Sequence, residues 1–316
     1  MYRKLVHYWV CSACLFASAF MCSTAGAAET CDRACLTGFI DRYLEALVAH
    51  DPSLLPIAPQ VKFTENGQPL EVGDALWATA SGNASFRIDA VDPTTGQAAF
   101  TGIIEENGSP ALMSLRLKID TGLITEIESV VARNDSQFFG VQFLTQPEPI
   151  YAEILAPAER VPRERMIAIA DSYFAALERM DGKRFVPFAQ TCNRIENGFQ
   201  TTNNPAMDTN PDDDFSISSM SCIEQFKTGY LKFVTGIRRR MLVVDEERGI
   251  VFNFALLDHA GNIHEVTMTD GRTLPVNVKT PFTWLGGGLF KIKNGEIHRI
   301  YTVLIRAPYK MSPGWE

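Results

Sequence analysis

A dense cluster of polar side chains stands in Cys192-Asn193-Arg194-Ile195-Glu196-Asn197-Gly198, trailed by Thr201, Thr202, Asn203 and Asn204. Such a cluster, placed directly after an apolar helical stretch, can line a pocket with donors and acceptors. A glutamate beside an apolar wall has a raised pKa and suits general acid or base work near neutral pH. Glu196 is therefore the first proton-transfer candidate. Arg194 would pair with a substrate carboxylate or enolate, or with Glu196 itself, and Asn197 and Asn203 would orient a ligand. His259 ends a β-patterned stretch in Asp258-His259; its imidazole can shuttle protons, or it is an ordinary turn residue. Trp284 and Phe282 are the natural apolar lid, since large aromatics bury much area and exclude water. Asn-Gly also recurs at 66–67, 107–108 and 294–295, a favoured hairpin turn, so Glu65-Asn66-Gly67 reads as a turn first.

Other chemistries find weaker footing. Asp208-x-Asn210-x-Asp212-x-Asp214 opens like a calcium loop, but Asp213 stands where glycine is needed and Ser219 where the bidentate glutamate belongs. It reads as a solvated acidic loop. Gly286-Gly287-Gly288 does not lie between a strand and a helix start, so it is no phosphate loop. There is no Gly-x-Ser-x-Gly elbow. Cys31 and Cys35 lack a Cys-x-x-Cys partner or a nearby histidine to complete a zinc site. No metal and no cofactor is expected.

The elements that would position these residues occur twice. Tyr43-Leu44-x-Ala46-Leu47, Asp51-Pro52 and Pro56-Ile57-Ala58 are echoed by Tyr173-Phe174-x-Ala176-Leu177, Asp181-Gly182 and Pro187-Phe188-Ala189, and each series reaches Glu-Asn-Gly. Val91-Asp92 and Gly96 match Val244-Asp245 and Gly249. Lys118-Ile119-x-x-Gly122-x-Ile124-x-x-Ile127 matches Lys291-Ile292-x-x-Gly295-x-Ile297-x-x-Ile300 without a gap. Matched order and spacing of this kind indicate a tandem duplication. Helical periodicity spans 32–50 and 164–180. Alternating strand patterns follow at 86–91, 98–105, 111–119 and 124–131, and again at 241–244, 251–257, 289–292 and 297–305. Each copy is thus an α+β unit with helices packed on an antiparallel sheet.

A long helix, a short helical segment and a meander of strands resemble the nuclear-transport-factor-2-like superfamily, with its SnoaL-like cyclases and ketosteroid isomerase. The run from Cys192 to Asn204 resembles secreted tandem proteins of unknown function within that group. The resemblance implies two tandem cone-like domains, residues 29–145 and 163–316, joined by a proline-rich linker at 146–162. It carries no catalytic residue over from the enzymes. Copy two is longer between Gly198 and Asp245, and again between Leu257 and Lys291, than copy one at the matching places. Such insertions suit a lid or an enlarged pocket mouth; decorative or docking loops are the alternative.

Residues 1–27 read as a signal peptide. Arg3 and Lys4 precede an apolar run that closes on Ala25-Gly26-Ala27. Without those two, 27 basic side chains face 37 acidic ones, so nucleic acid is a poor partner. No later stretch is long and apolar enough to span a membrane. Four cysteines follow the leader. Cys192 and Cys222 bracket the first insertion of copy two and are expected to pair; Cys31 and Cys35 pair only if Cys31 precedes the helix. The functional expectation is a secreted or periplasmic protein whose second domain binds a small organic ligand, as a cofactor-free isomerase, dehydratase or lyase. A non-catalytic binding module and a structural module, through domain–domain contact or a homodimer, are the alternatives.

Overall fold

The computed structural model describes residues 1–2, 5, 31–136, 139–207 and 215–315. The signal segment and the acidic run Asp208 to Asp214 lie outside the described residues. Helix α1 (Arg33–Ala49) buries Leu36, Phe39, Ile40, Tyr43, Leu44 and Leu47 along one face. Its N-cap Asp32 accepts a hydrogen bond from the Cys35 N–H, which satisfies one of the free amides of the first turn. Cys31 therefore precedes the helix, and the Cys31–Cys35 disulfide closes across the cap.

Strand β1 (Ile57–Glu65) turns at Asn66-Gly67 into the short β2 (Gln68–Pro69). One turn of helix, α2 (Leu76–Thr79), then leads to β3 (Ala80–Asp92), β4 (Gln97–Glu106), β5 (Ser109–Asp120) and β6 (Leu123–Ala132). The second half repeats the series. It runs through α3 (Arg163–Arg179), β7 (Phe188–Glu196), β8 (Phe199–Gln200) and α4 (Cys222–Thr228) to β9 (Gly236–Asp245) and β10 (Ile250–His259). The small hairpin β11 (Glu265–Thr267) and β12 (Thr273–Pro275) precedes β13 (Phe282–Lys293) and β14 (Glu296–Ala307). The two six-stranded sheets have the same order, β2-β1-β6-β5-β4-β3 and β8-β7-β14-β13-β10-β9. Tyr43 and Tyr173 occupy α1 and α3, Ile119 and Ile292 occupy β5 and β13.

The sheets are mixed, not antiparallel as the periodicity implied. Each half has a further strand before Glu-Asn-Gly, where no strand was assigned, and these strands, β1 and β7, run parallel to the last strands β6 and β14. Chain direction explains this. β3 to β6 reverse three times, so β6 runs opposite to β3. β1 can join β6 in parallel only if the chain crosses from β2 to β3 along one end of the sheet. Residues 70–79 make that crossing in the first half; in the second the described residues 201–207 and 215–235 belong to it.

One face of each sheet packs on its helix, forming two cores that include Tyr43 and Trp77 in the first half and Tyr173 and Phe290 in the second. The opposite faces pack on each other around Phe86, Ile88, Ile103, Phe252, Phe254 and Tyr301. Central strands buried on both faces show near-continuous apolar runs; from Ile250 to Leu257 only Asn253 is polar. Two ion pairs hold the halves reciprocally. Arg33 at the start of α1 grips Asp245 at 2.5 and 2.9 Å, and Arg163 at the start of α3 grips Asp92 at 2.5 and 2.9 Å. Each aspartate also accepts a backbone N–H of the other half, from Val91 and Val244 respectively. Both carboxylates are fully buried, and their charge is matched by these donors. No helix among the described residues is long and apolar enough to cross a membrane.

Candidate functional site

Between α3 and the inner face of the second sheet lies a cavity of about 120 Å³. Its floor is buried and largely apolar: Tyr173 and Phe174 from α3, Asn253 and Ala255 from β10, Phe290 from β13 and Ile300 from β14. Its rim is half-buried and holds Glu196, Leu257, Trp284, Thr302 and Leu304. Of the residues singled out in the sequence, Glu196 and Trp284 thus meet at one opening.

The first half shows why this space exists. The registers are equivalent: Glu65 lies opposite Ser129 as Glu196 lies opposite Thr302, and Phe100 pairs with Leu115 as Asn253 pairs with Gly288. Phe100, Met113 and Leu115, buried in the first core, are therefore replaced by Asn253, Gly286 and Gly288. The first half also has Trp77, 1% exposed, on its crossing segment. The indole N–H donates to the Tyr43 hydroxyl at 3.1 Å and the rings meet edge-on. In the second half Phe226 of α4 likewise packs on Tyr173, ring centroids 5.0 Å apart, so the space comes from the sheet positions and not from the crossing segment. Gly287, between the two cavity glycines, serves the other face: a Cβ there would come within 2.6 Å of the Ser114 Cβ across the sheet–sheet interface.

The two glutamates differ accordingly. Glu65 is buried and accepts from the Leu76 N–H at 3.1 Å and from Arg133 at 3.2 Å. Burial pushes its pKa up despite those partners. Glu196 keeps 29% of its side chain exposed, with Arg194 at 3.5 Å. Arg194 is buried and its guanidinium donates to Thr201 at 2.9 Å, Tyr173 at 3.3 Å and Gln225 at 2.7 Å. Burial works against its charge, but Glu196 and the Tyr173 hydroxyl more than offset it, and its pKa is raised. Arg194 is thus a buttress behind Tyr173 and Glu196 and not a lining group. Gln225 belongs to α4, which the Cys192–Cys222 disulfide ties to β7.

The remaining candidates lie outside the cavity lining. The Asn197 amide exchanges two hydrogen bonds with the Leu304 backbone, at 2.8 Å each, as Asn66 does with Val131. Asn203 donates to the Cys192 carbonyl and the Asn193 side chain. His259 shares the inner face of β10 with Leu257, but its ring is stacked on Phe282 at 4.5 Å and its Nδ1 meets the Leu257 carbonyl. Burial lowers its pKa, so it is neutral at neutral pH. Phe282 in turn carries the Arg306 guanidinium 4.0 Å above its ring. Sequence reasoning missed Asn253, Thr302, Gly286 and Gly288. The signal was present: the ungapped match at Lys118 and Lys291, extended backwards, sets Met113 against Gly286, and glycine inside a strand often marks room for a ligand or a close backbone.

Residues 159–304, the second half, match a family described as a domain of unknown function (DUF8021). No curated protein matches the chain. Among solved structures, AclR from Streptomyces galilaeus is similar at 12% identity over 46% of this chain and 83% of its own, with a TM-score of 0.30. PrhC from Penicillium brasilianum (11% identity, 45% and 81% covered) and AusH from Aspergillus nidulans (12%, 45% and 85%) each give a TM-score of 0.26.

Proposed function

We propose that this is an exported pocket protein made of two tandem cone-like units, in which the second unit binds a small, partly apolar organic molecule and runs a cofactor-free acid–base step on it. Isomerisation, dehydration and lyase cleavage are the reaction classes that need no more than a placed carboxylate. Glu196 moves the proton and Trp284 shields the mouth. Thr302 and Asn253 orient the ligand, and His259 flanks the entrance on the stacked Phe282. The observation that carries this reading is the asymmetry of the halves: the cavity opens where Glu196 stands above Asn253 and Gly286, and Phe100 and Met113 fill the corresponding positions in the half that holds Glu65. Identical strand order and the reciprocal Arg–Asp pairs support reading the halves as copies. Two disulfides support export, since they persist in oxidising compartments.

Small molecules released by denaturing the purified chain, identified by mass spectrometry, should include an organic compound missing from a Gly286→Met variant. Identical profiles from both proteins would end the reading. In D2O the same compound should take up deuterium with the parent protein and with Glu65→Gln, and not with Glu196→Gln. Binding without uptake in any of the three would make the second unit a carrier instead of an enzyme.

A further inference from the structure

We propose that the second-half cavity selects an uncharged, ring-sized molecule bearing one O–H or N–H donor, held with its ring on the aromatic floor and its donor on Glu196. This rests on the reading that the cavity is the ligand site, and adds the class of ligand.

Size comes first. A dry cavity of about 150 Å³ is enough for benzene, and this one measures about 120 Å³ and is open at its rim, so a single six-membered ring fills it and any substituent lies at the opening. Shape and polarity come next. Tyr173, Phe174 and Phe290 supply ring surfaces at the buried end, where a flat apolar body loses most water. Apart from Asn253 and the Tyr173 hydroxyl, which accepts from Arg194, the polar groups are at the rim, so the ligand has one apolar end and one polar end.

Charge decides the rest. An anionic ligand needs an available cation, and Arg194, the cation nearest Glu196, already donates to Thr201, Tyr173 and Gln225. Among the lining residues the carboxylate of Glu196 would repel an anion directly. A cationic ligand would sit beside Glu196 but would share that carboxylate with buried Arg194, leaving one positive charge in excess in a desolvated space. A neutral donor avoids both costs. It donates to the Glu196 oxygen that faces the cavity and leaves the Arg194–Glu196 pair intact. Asn253 fits the same logic, since its amide N–H is spent on the Gly288 carbonyl at 3.0 Å and stabilises the floor.

Titration calorimetry on the full chain with phenol, toluene, benzoate and benzylammonium tests this. Phenol should bind about tenfold more tightly than toluene, the worth of one hydrogen bond to a charged acceptor, and benzoate and benzylammonium should bind more weakly than toluene. In Glu196→Leu the preference of phenol over toluene should vanish while toluene binding remains. Gly286→Met should abolish binding of all four; if that variant does not fold, Gly286→Ala should weaken phenol and toluene alike. Toluene binding as tightly as phenol, or either ion binding best, would overturn the proposal and leave the cavity as a ligand site of another class. No binding by any probe would overturn the ligand-site reading itself.

Discussion

Replacing Trp77 by alanine tests whether the first half is a core and the second a pocket. The indole is 1% exposed and sits in the apolar cluster with Tyr43, Leu76 and Phe100. Truncating a buried tryptophan to alanine costs about 3–5 kcal/mol, of which the Tyr43 hydroxyl, left without its N–H donor, accounts for about 1. For a chain of 316 residues that is a fall in Tm of roughly 5–8 °C. Urea unfolding followed by circular dichroism gives the first number and calorimetry the second. The vacated volume should accept the group that was removed, as engineered apolar cavities do. Indole at tenfold its Kd should therefore return about 1.4 kcal/mol to the variant and nothing to the parent protein. Ligand binding in the second half should be unchanged. A loss below about 1 kcal/mol, or equal stabilisation of both proteins by indole, would refute the argument that Trp77 is a packed part of the first core.

Asp245→Ala should cost about 2–3 kcal/mol in urea unfolding, because the buried Val91 N–H loses its acceptor and Arg33 keeps only Glu247, at 2.6 Å; Arg33→Met with Asp245→Leu should recover much of it, and an additive double variant would count against a coupled pair. Removing the Cys192–Cys222 bond, with its separation of 30 residues, should cost about 3–4 kcal/mol by the chain-entropy relation. Ligand binding should also weaken, because α4 carries the Gln225 that holds Arg194; guanidinium unfolding and calorimetry check both. The lowered pKa of His259 makes the neutral ring the folded form. Stability from this group is present above the ordinary histidine pKa of about 6.5 and is lost as pH falls through the lower folded value. A His259→Gln variant should show a smaller fall in Tm between pH 7 and pH 4.5; parallel curves would show that the ring does not titrate on unfolding.

The helices, the strand patterns and the second disulfide were legible because each depends on spacing along the chain. Tyr43 and Tyr173 stand at one position of the two long helices, and Cys192 and Cys222 close the segment they bracket. The parallel pairing of β1 with β6 was not legible, since it depends on where the crossing segment passes and not on periodicity. The polar run at 192–204 was legible as a cluster, but polarity alone does not say whether a donor faces a ligand or its own chain. Asn197 and Asn203 hold turns, Arg194 is enclosed by Tyr173, Thr201 and Gln225, and only Glu196 of that run reaches the cavity. The cavity itself was written in what is missing. Gly286 and Gly288 carry no side chain to notice, and their meaning appears only against Met113 and Leu115.

Two identical subunits related by a two-fold axis would make the Arg33–Asp245 contact twice, which is the pattern seen here with Arg163–Asp92. In such a dimer every change is made in duplicate: a tryptophan that closed one cavity would close both. Joining the halves in a single chain removes that constraint, because a gene encodes each half separately. One half is then free to harden into a support, with Phe100 and Met113 in place of a void and Glu65 locked under Arg133. The other can loosen at Gly286 and Gly288 without the pair losing its shared interface. The stability that the open half forfeits is supplied by a neighbour that can never dissociate from it.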